Sequence, residues 1–518
     1  EAAGLNILVD CGMEQGNDVY ENQELPVAAS DVDCILLTHA HIDHSGLIPL
    51  MYVNGFRGQV YSTSATAQLC EIMLRDSAHI QMFEAEWRNR KAARSGGKLK
   101  EFVPLYDMDA AVNVCKQFVG CEYDRVYDIA EGIKIRFTDV GHLLGSASIE
   151  VWATEKTENG DVTEKIVFSG DIGNINKPII KDPKHVRDAD YVVMESTYGN
   201  RSHGGTPNYV EDLTDIFKRT FERGGNVVIP SFAVGRTQEL LYIIRKIKED
   251  NLVGRDFDVY MDSPLAIEAT NIFIKNVESC FDDEAVELVR KGINPLTFPG
   301  LKYATTGDES KQINFDPNPK VIISSSGMCE AGRIRHHLKH NLWRPECTIV
   351  FVGYQAVGTT GRIIVDGAEE IKLFGEPIQI KAEIVQLKGS SGHADKDGLL
   401  CWINAFDRKP KKVFVVHGED SVCDEFTECL KEEYGYDAMA PYTGGSYDLI
   451  ADRVISEGVK ERKTRRTTST QRGKTVFDRL VAAGKRLMTV ITHNEGGTNK
   501  DLAKFTDQIN ALCDKWDR

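Results

Sequence analysis

The sequence predicts an α/β protein with a metal site at its strand ends, on three observations. Histidines and a carboxylate crowd into His39-Ala40-His41-Ile42-Asp43-His44, directly after the apolar run Cys34-Ile35-Leu36-Leu37. Short β-rich runs fill the first part of the chain, and from about Gly199 they give way to helices alternating with apolar strands, the pattern of a buried parallel layer. A basic linker and an amphipathic stretch follow, so a helical C-terminal tail is expected. Imidazole and carboxylate are the ligands zinc prefers. Packing gives no reason to gather them at one strand end.

At 518 residues the chain is too long for one core and is expected to divide into domains. No apolar run approaches the roughly 20 residues of a membrane span, and no secretory pattern opens the chain. No membrane partner and a cytoplasmic location are therefore expected. The 12 cysteines form no C-x-x-C pair, which suits reduced thiols better than a disulfide framework. A net charge of −16 disfavours loose attraction to a polyanion, so a nucleic-acid substrate would need positive charge concentrated locally. No G-x-x-x-x-G-K phosphate loop occurs.

The elements read in order as four segments. In residues 1–199, Ile7-Leu8-Val9, Val60-Tyr61, the runs at 133–137, 149–152 and 166–168, and Tyr191-Val192-Val193-Met194 are strand-like, with a long helix between about Ser64 and Arg94. Residues 200–377 alternate helices with strands such as Asn226-Val227-Val228-Ile229 and Val321-Ile322-Ile323. Residues 378–449 add strands and a helix, including Lys412-Val413-Phe414-Val415-Val416. Residues 450–518 hold a basic linker around Thr467-Thr468-Ser469-Thr470 and a helical hairpin in which Leu502, Phe505, Ile509, Leu512 and Trp516 recur at three- and four-residue steps. That apolar stripe is expected to be buried, in a homodimer or against a partner.

Three single residues at other strand ends complete the candidate site. Asp10 follows Ile7-Leu8-Val9, His142 sits in Val140-Gly141-His142, and Asp171 sits in Gly170-Asp171-Ile172-Gly173. Each has glycine close by, as expected where backbone must approach a site closely. In this order and company the segments resemble the metallo-β-lactamase superfamily, a sandwich of two sheets flanked by helices. The resemblance runs from Leu5 to about Leu449 and implies two zinc ions. It places His39, His41 and His142 on one and Asp43 and His44 on the second, with Asp171 bridging and Asp10 orienting the histidine loop.

Three further motifs resemble the β-CASP branch, the nucleases of that superfamily. They are Glu195-Ser196-Thr197-Tyr198-Gly199, Gly389-Ser390-Ser391-Gly392-His393-Ala394-Asp395, and Val415-Val416-His417-Gly418-Glu419. The segment between Glu195 and His393 corresponds to that branch's inserted α/β cap. The resemblance implies that His417 completes the second zinc, that His393 is the general acid and that Glu195 supports it. A histidine at 417 is the pattern of RNA-processing members, where DNA-repair members have valine. The motifs resemble cleavage-and-polyadenylation-type ribonucleases and their prokaryotic relatives. They depart from RNase J in the metal run and the Glu195 motif, and no KH-type module precedes the metal domain as in archaeal relatives. The hairpin that normally precedes the Leu5 segment is not in the sequence, so an incomplete N-terminus is expected.

The cap is expected to supply the local positive charge. Ser325, Ser326 and Gly327 lead toward Arg333, while Arg236 and Arg362 follow other glycine turns. Hydroxyls, free N–H groups and helix N-termini of this kind hold phosphate, and the turns match cap motifs of the family. His336, His337 and His340 ride one helix and are expected to be structural or RNA-facing. The reading is a zinc-dependent ribonuclease of RNA processing or decay, endonucleolytic, 5′-exonucleolytic or both, acting on single-stranded RNA. Two other readings stand beside it: a small-molecule ester or thioester hydrolase, and a non-catalytic RNA-binding scaffold.

Overall fold

The computed structural model describes residues 1–13, 27–94, 102–202, 204, 208–387, 391–460, 476–494 and 498–516. The predicted Thr467–Thr470 linker and the Gly389-Ser390 pair lie outside them. The first nine strands are β1 (Ile7–Val9), β2 (Cys34–Leu36), β3 (Gln59–Thr63), β4 (Phe118–Cys121), β5 (Val126–Ala130), β6 (Ile133–Asp139), β7 (Ala147–Thr157), β8 (Gly160–Phe168) and β9 (Tyr191–Glu195). The next eight are β10 (Val227–Pro230), β11 (Asp258–Asp262), β12 (Leu301–Tyr303), β13 (Lys320–Ser324), β14 (Thr348–Phe351), β15 (Glu370–Leu373), β16 (Glu376–Gln379) and β17 (Glu383–Gln386). Strands β18 (Lys412–Val416) and β19 (Ala438–Met439) follow.

Two sheets face each other. One is parallel, in the order β1-β2-β3-β4; the other is mixed, in the order β19-β18-β9-β8-β7-β6-β5. The apolar runs that look continuous in sequence are buried on both faces. Leu36 packs between the sheets with Phe137, Ile149 and Tyr191, while Ile35 and Leu37 turn outward against Leu69 and Val114. On the second sheet Val192, Met194 and Val415 are covered by Trp402 and Phe426, which lie on the helices Lys396–Ile403 and Asp420–Glu432. Helices on both outer faces make the layers αββα. The helix Ser64–Arg94 lies where its sequence predicts.

The chain between β9 and the end of β17 forms the cap, whose parallel sheet has the order β12-β11-β13-β10-β14-β17. Here the sheet crosses an expected segment boundary. β17, assigned by sequence to the returning segment, is hydrogen-bonded to β14 as the edge strand of the cap, because its Ile384 packs against the cap core. A second boundary is crossed as well. The hairpin Ser446–Asp448 with Arg453–Ser456 extends past residue 449, and Tyr191 Oη donates to Leu449 O, 2.6 Å away. The tail holds the two expected helices, Val476–His493 and Asn499–Trp516. Leu502, Phe505 and Ile509 are half-buried, whereas Leu512 and Trp516 project outward.

A buried charge network ties β6 to β7 and β8. The Glu150 carboxylate accepts from Arg136 Nε and Nη2, both at 2.7 Å, and from Thr138 Oγ1 at 2.8 Å, and it lies 2.7 Å from Lys165 Nζ. Burial works against its ionisation, yet these donors hold its pKa below the usual range. Truncating one partner of such a network costs about 3–5 kcal/mol. Glu150→Ala is therefore expected to lower denaturant stability by about that much at neutral pH. A folded-state pKa below the unfolded one gives stability that is present above the unfolded value and lost as pH falls. The gap between the two proteins, measured by denaturation at several pH values, should narrow on acidification below the ordinary Glu range.

Candidate metal centre

The metal run follows β2, whose end it caps. Asp10 and Cys11 leave β1 alongside it, with Cys11 N donating to His44 O at 2.7 Å. The glycines expected to allow close approach do so. A Cβ on Gly12 would fall 1.5 Å from Asp43 O, and one on Gly173 would fall 1.9 Å from Gly141 O. On the opposite sheet, β9 and β18 are parallel and in register, Val416 beside Glu195. His417 therefore emerges next to Glu195 across a long insertion. Asp10 and His417 both hold positive φ, 56° and 52°, a conformation that costs energy outside glycine and gathers at functional sites.

Two groups of ligand atoms converge. His39 Nε2 and His41 Nδ1 are 3.0 Å apart, His41 Nδ1 and His142 Nε2 are 3.2 Å apart, and Asp171 Oδ2 lies 3.3 Å from His39 Nε2. Beside them, His44 Nε2 and His417 Nε2 are 3.0 Å apart, with Asp43 Oδ2 3.7 Å from His417 Nε2. Asp171 Oδ1 faces this second group, 3.3 Å from His44 Nε2. Each carboxylate oxygen thus serves a different cluster. Tetrahedral zinc with bonds of about 2.0–2.1 Å sets its nitrogen ligands about 3.3 Å apart, close to the spacings found. Asp171 Oδ1 is moreover buried with no hydrogen-bond donor among the described residues, a costly arrangement unless a cation faces it. The donor set fits metal.

The outer nitrogens are already committed. His44 Nδ1 donates to Asp10 Oδ2 at 2.7 Å. Thr38 Oγ1 donates to the same oxygen at 2.8 Å and accepts from His39 Nδ1 at 3.1 Å. His142 Nδ1 donates to Gly392 O at 3.2 Å, and His417 Nδ1 to Thr197 Oγ1 at 3.1 Å. Each ring is thereby fixed with its other nitrogen inward, as metal ligation requires. Asp10 is tied to the histidine loop by these bonds and by one from Thr38 N at 2.8 Å. Thr38, Thr197 and the Gly392 carbonyl were not foreseen; a threonine directly before the metal run was the one available signal.

Electrostatics divides the two groups. Burial and neighbouring imidazoles push His41 down to about 3 and hold His39 and His142 below the usual range, so these rings keep lone pairs. Burial opposes charge on His44 as well, but Asp171 and Asp10 hold it well above its ordinary value. His417 is raised to about 9 against burial by Asp171 and Asp43. The second group therefore attracts positive charge.

His393 lies at the rim, its Nδ1 3.2 Å from Glu195 Oε2 and 3.3 Å from Oε1. Burial lowers its proton affinity, and Glu195 and Asp171 more than restore it, so its pKa is raised. Glu195 also accepts from Ile172 N and from Thr197 N, the latter at 3.3 Å.

The cap turns meet, but five of the expected phosphate-contact residues bond within the cap. Gln355 Nε2 donates to Gly327 O at 3.1 Å, and Gly361 N to Met328 O at 3.0 Å, which joins the turns after β13 and β14. Ser325 Oγ is 2.7 Å from Ser263 Oγ, and Ser326 Oγ donates to Ala331 O at 3.4 Å. Arg333 is corrected from a phosphate contact to a brace. Its guanidinium donates to Asp262 Oδ1 at 2.7 Å, Ala304 O at 2.9 Å and Thr305 O at 2.8 Å, because buried Asp262 requires a counter-charge. His337 serves the same carboxylate at 2.6 Å. Arg362 pairs with Asp366 one turn on, 2.7 Å away, and Arg236 with Glu239 at 2.6 Å. His336 stacks on Phe374, ring centroids 4.4 Å apart. Among the described residues these helix histidines join no group of metal-capable side chains.

An αββα sandwich with clustered histidines and aspartates along one edge defines a metal-dependent hydrolase of the metallo-β-lactamase class. Family comparison agrees. A Metallo-beta-lactamase superfamily domain matches residues 1–174, a Beta-Casp domain residues 237–364, and a Zn-dependent metallo-hydrolase RNA specificity domain residues 377–441. The chain is 34% identical over 420 residues to Ribonuclease TTHA0252 of Thermus thermophilus, covering 81% of this chain and 89% of that protein. It is 31% identical over 418 residues to an RNase J-like protein of Methanocaldococcus jannaschii, covering 80% and 87%. Transcription termination factor FttA of Methanosarcina mazei is 32% identical over 450 residues, 84% of this chain but 66% of that longer protein. The chain belongs to the β-CASP branch of the metallo-β-lactamase superfamily.

Loss of an outer hydrogen-bond partner typically costs about 10–100-fold in metal affinity. Thr38→Val, which removes the link between Asp10 and His39, should weaken zinc binding by about that factor in a chelator competition while leaving the fold intact by circular dichroism.

Proposed function

We propose that this protein is a ribonuclease that hydrolyses RNA phosphodiester bonds with two zinc ions. His39, His41 and His142 would hold one ion, Asp43, His44 and His417 the other, and Asp171 both. The observation that carries the reading is His417, whose Nε2 lies 3.0 Å from His44 Nε2. It comes from the segment matched by the RNA specificity domain and completes a second cluster that a one-metal hydrolase would not need. Ribonuclease TTHA0252, similar along most of its length, supports the same substrate class.

When bound, the zinc ions acidify a water and offset charge on a phosphate oxygen. The chain's own residues do the rest. Water oxygen adds to phosphorus, its proton leaving to solvent, as the bond to the 3′ oxygen breaks, and His393 gives its own proton to that oxygen. Glu195 holds the His393 ring through Nδ1 and keeps it charged, which directs the other ring nitrogen to the leaving group. Products carry 5′-phosphate and 3′-hydroxyl ends. The turn at Ser325, Ser326 and Gly327, with half-exposed Arg362 and the Arg236 turn, would guide neighbouring phosphates of a single strand. The outward Leu512 and Trp516 of the tail are candidates for a homodimer contact.

Linear RNAs labelled at either end and a circular RNA, incubated with zinc, should be cut to 5′-phosphate products. A chelator should abolish cutting and zinc should restore it. Cleavage of the circle reports internal entry; labelled nucleotides released from the 5′ end of the linear RNA report exonucleolytic entry. Hydrolysis of a generic ester with intact RNA would instead favour a small-molecule hydrolase, and absence of zinc on elemental analysis a scaffold.

Two variants separate the roles. His417→Ala should lose the second zinc equivalent and activity together, and full activity with one equivalent would contradict the ligand assignment. His393→Ala should retain about two equivalents while turnover falls about 10²–10⁴-fold; unchanged turnover would remove it as the acid.

A further inference from the structure

We infer that Lys177 and Glu239 form a positioning pair through which the cap holds the metal ligand His142 and the His393 loop in place, an inference that rests on the ligand assignment above. Lys177 lies in the segment following Asp171, and Glu239 in the first turn of the cap helix Arg236–Glu249. Lys177 Nζ is 3.0 Å from Glu239 Oε1 and donates to the backbone oxygen of His142 at 3.1 Å. Its side chain is 12% exposed and that of Glu239 is 9% exposed. One ammonium thus joins a cap carboxylate to the peptide of a ligand.

The same segment grips the His393 loop. Gly173 pairs with His393 in an isolated bridge, Asn174 N donates to Gly392 O at 3.2 Å, and Ala394 N donates to Ile172 O at 2.7 Å. Gly392 O is also the acceptor for His142 Nδ1, and a Cβ on Gly392 would stand 3.9 Å from Lys177 Nζ. Displacing the Lys177 side chain therefore removes a donor from the His142 backbone, in the segment that also holds the ring's acceptor. Glu239 cannot drift freely, since its other oxygen is held by Arg236 Nη1 at 2.6 Å. A buried ion pair is poor value for stability alone, because an apolar pair of similar volume does as well or better. Its location between cap and ligand gives it a positioning role.

The test uses the full chain with cobalt(II) in place of zinc, read by visible absorption and by affinity in competition with a chelator. Lys177→Met and Glu239→Gln are each expected to lower the affinity of the site containing His142 by about 10-fold or more and to alter the cobalt band. The double variant should lose no more than the worse single variant, since both break one link. Lys177→Arg, which keeps charge and donors, should recover most of the affinity. Unchanged affinity in both single variants, or additive losses in the double, would overturn the pair. His142→Ala is the control. If it binds cobalt as the parent does, the ligand assignment falls and the pair with it; if it loses cobalt while the pair variants do not, the pair alone falls.

Discussion

The two-faced carboxylate of Asp171 is the constraint on which the rest of the site depends. It is buried, one oxygen toward His39 and the other toward His44, and Oδ1 has no hydrogen-bond donor among the described residues. An ionised carboxylate placed this way is unfavourable unless positive charge meets it on both sides. The histidines around it are prepared for such charge in two ways. Three are pushed toward neutrality by burial and offer lone pairs, while two are drawn toward positive charge by carboxylates. The proposed chemistry of paired divalent ions would follow from that single anion and its ring of donors.

Topology delivers the donors. β1 and β2 are parallel neighbours, so Asp10 leaves one strand end beside the metal run that leaves the other. β9 and β18 are also parallel and in register, so Glu195 and His417 reach the same edge although the whole cap separates them in sequence. Closing so long a connection is tolerable because loop-closure cost grows only slowly with length and the inserted chain folds on its own six-stranded sheet. The cap is then not an appendage. Its core runs on into the first sheet's outer layer, with Phe273 and Leu240 in the same cluster as Leu69 and Leu144, and its Glu239 reaches Lys177 beside His142.

Much of this was legible in sequence, and the reason is chemical density. The metal run, the glycines at 12 and 173, and the histidines at 142, 393 and 417 are residue types whose bland explanations are few in such positions. The layered sandwich was legible through apolar runs such as Cys34-Ile35-Leu36-Leu37, which make sense only if both faces are covered. What escaped was geometry without a distinctive residue type. Thr38 and Thr197 are ordinary threonines until a ring nitrogen lands on them, and Gly392 acts through its carbonyl. Arg333 reads as a phosphate ligand because sequence does not reveal that Asp262 is buried against it. The pairing of β17 with the cap sheet also escaped, because an edge strand of Glu-Ile-Val-Gln carries no mark of which sheet it will join.

Anomalous diffraction at the zinc absorption edge, from crystals grown without chelator, tests the central claim most directly. The account predicts two peaks about 3.5–4 Å apart, one among His39, His41 and His142, the other among Asp43, His44 and His417, with the Asp171 carboxylate between them. A single peak, or peaks bound away from Asp171, would contradict it.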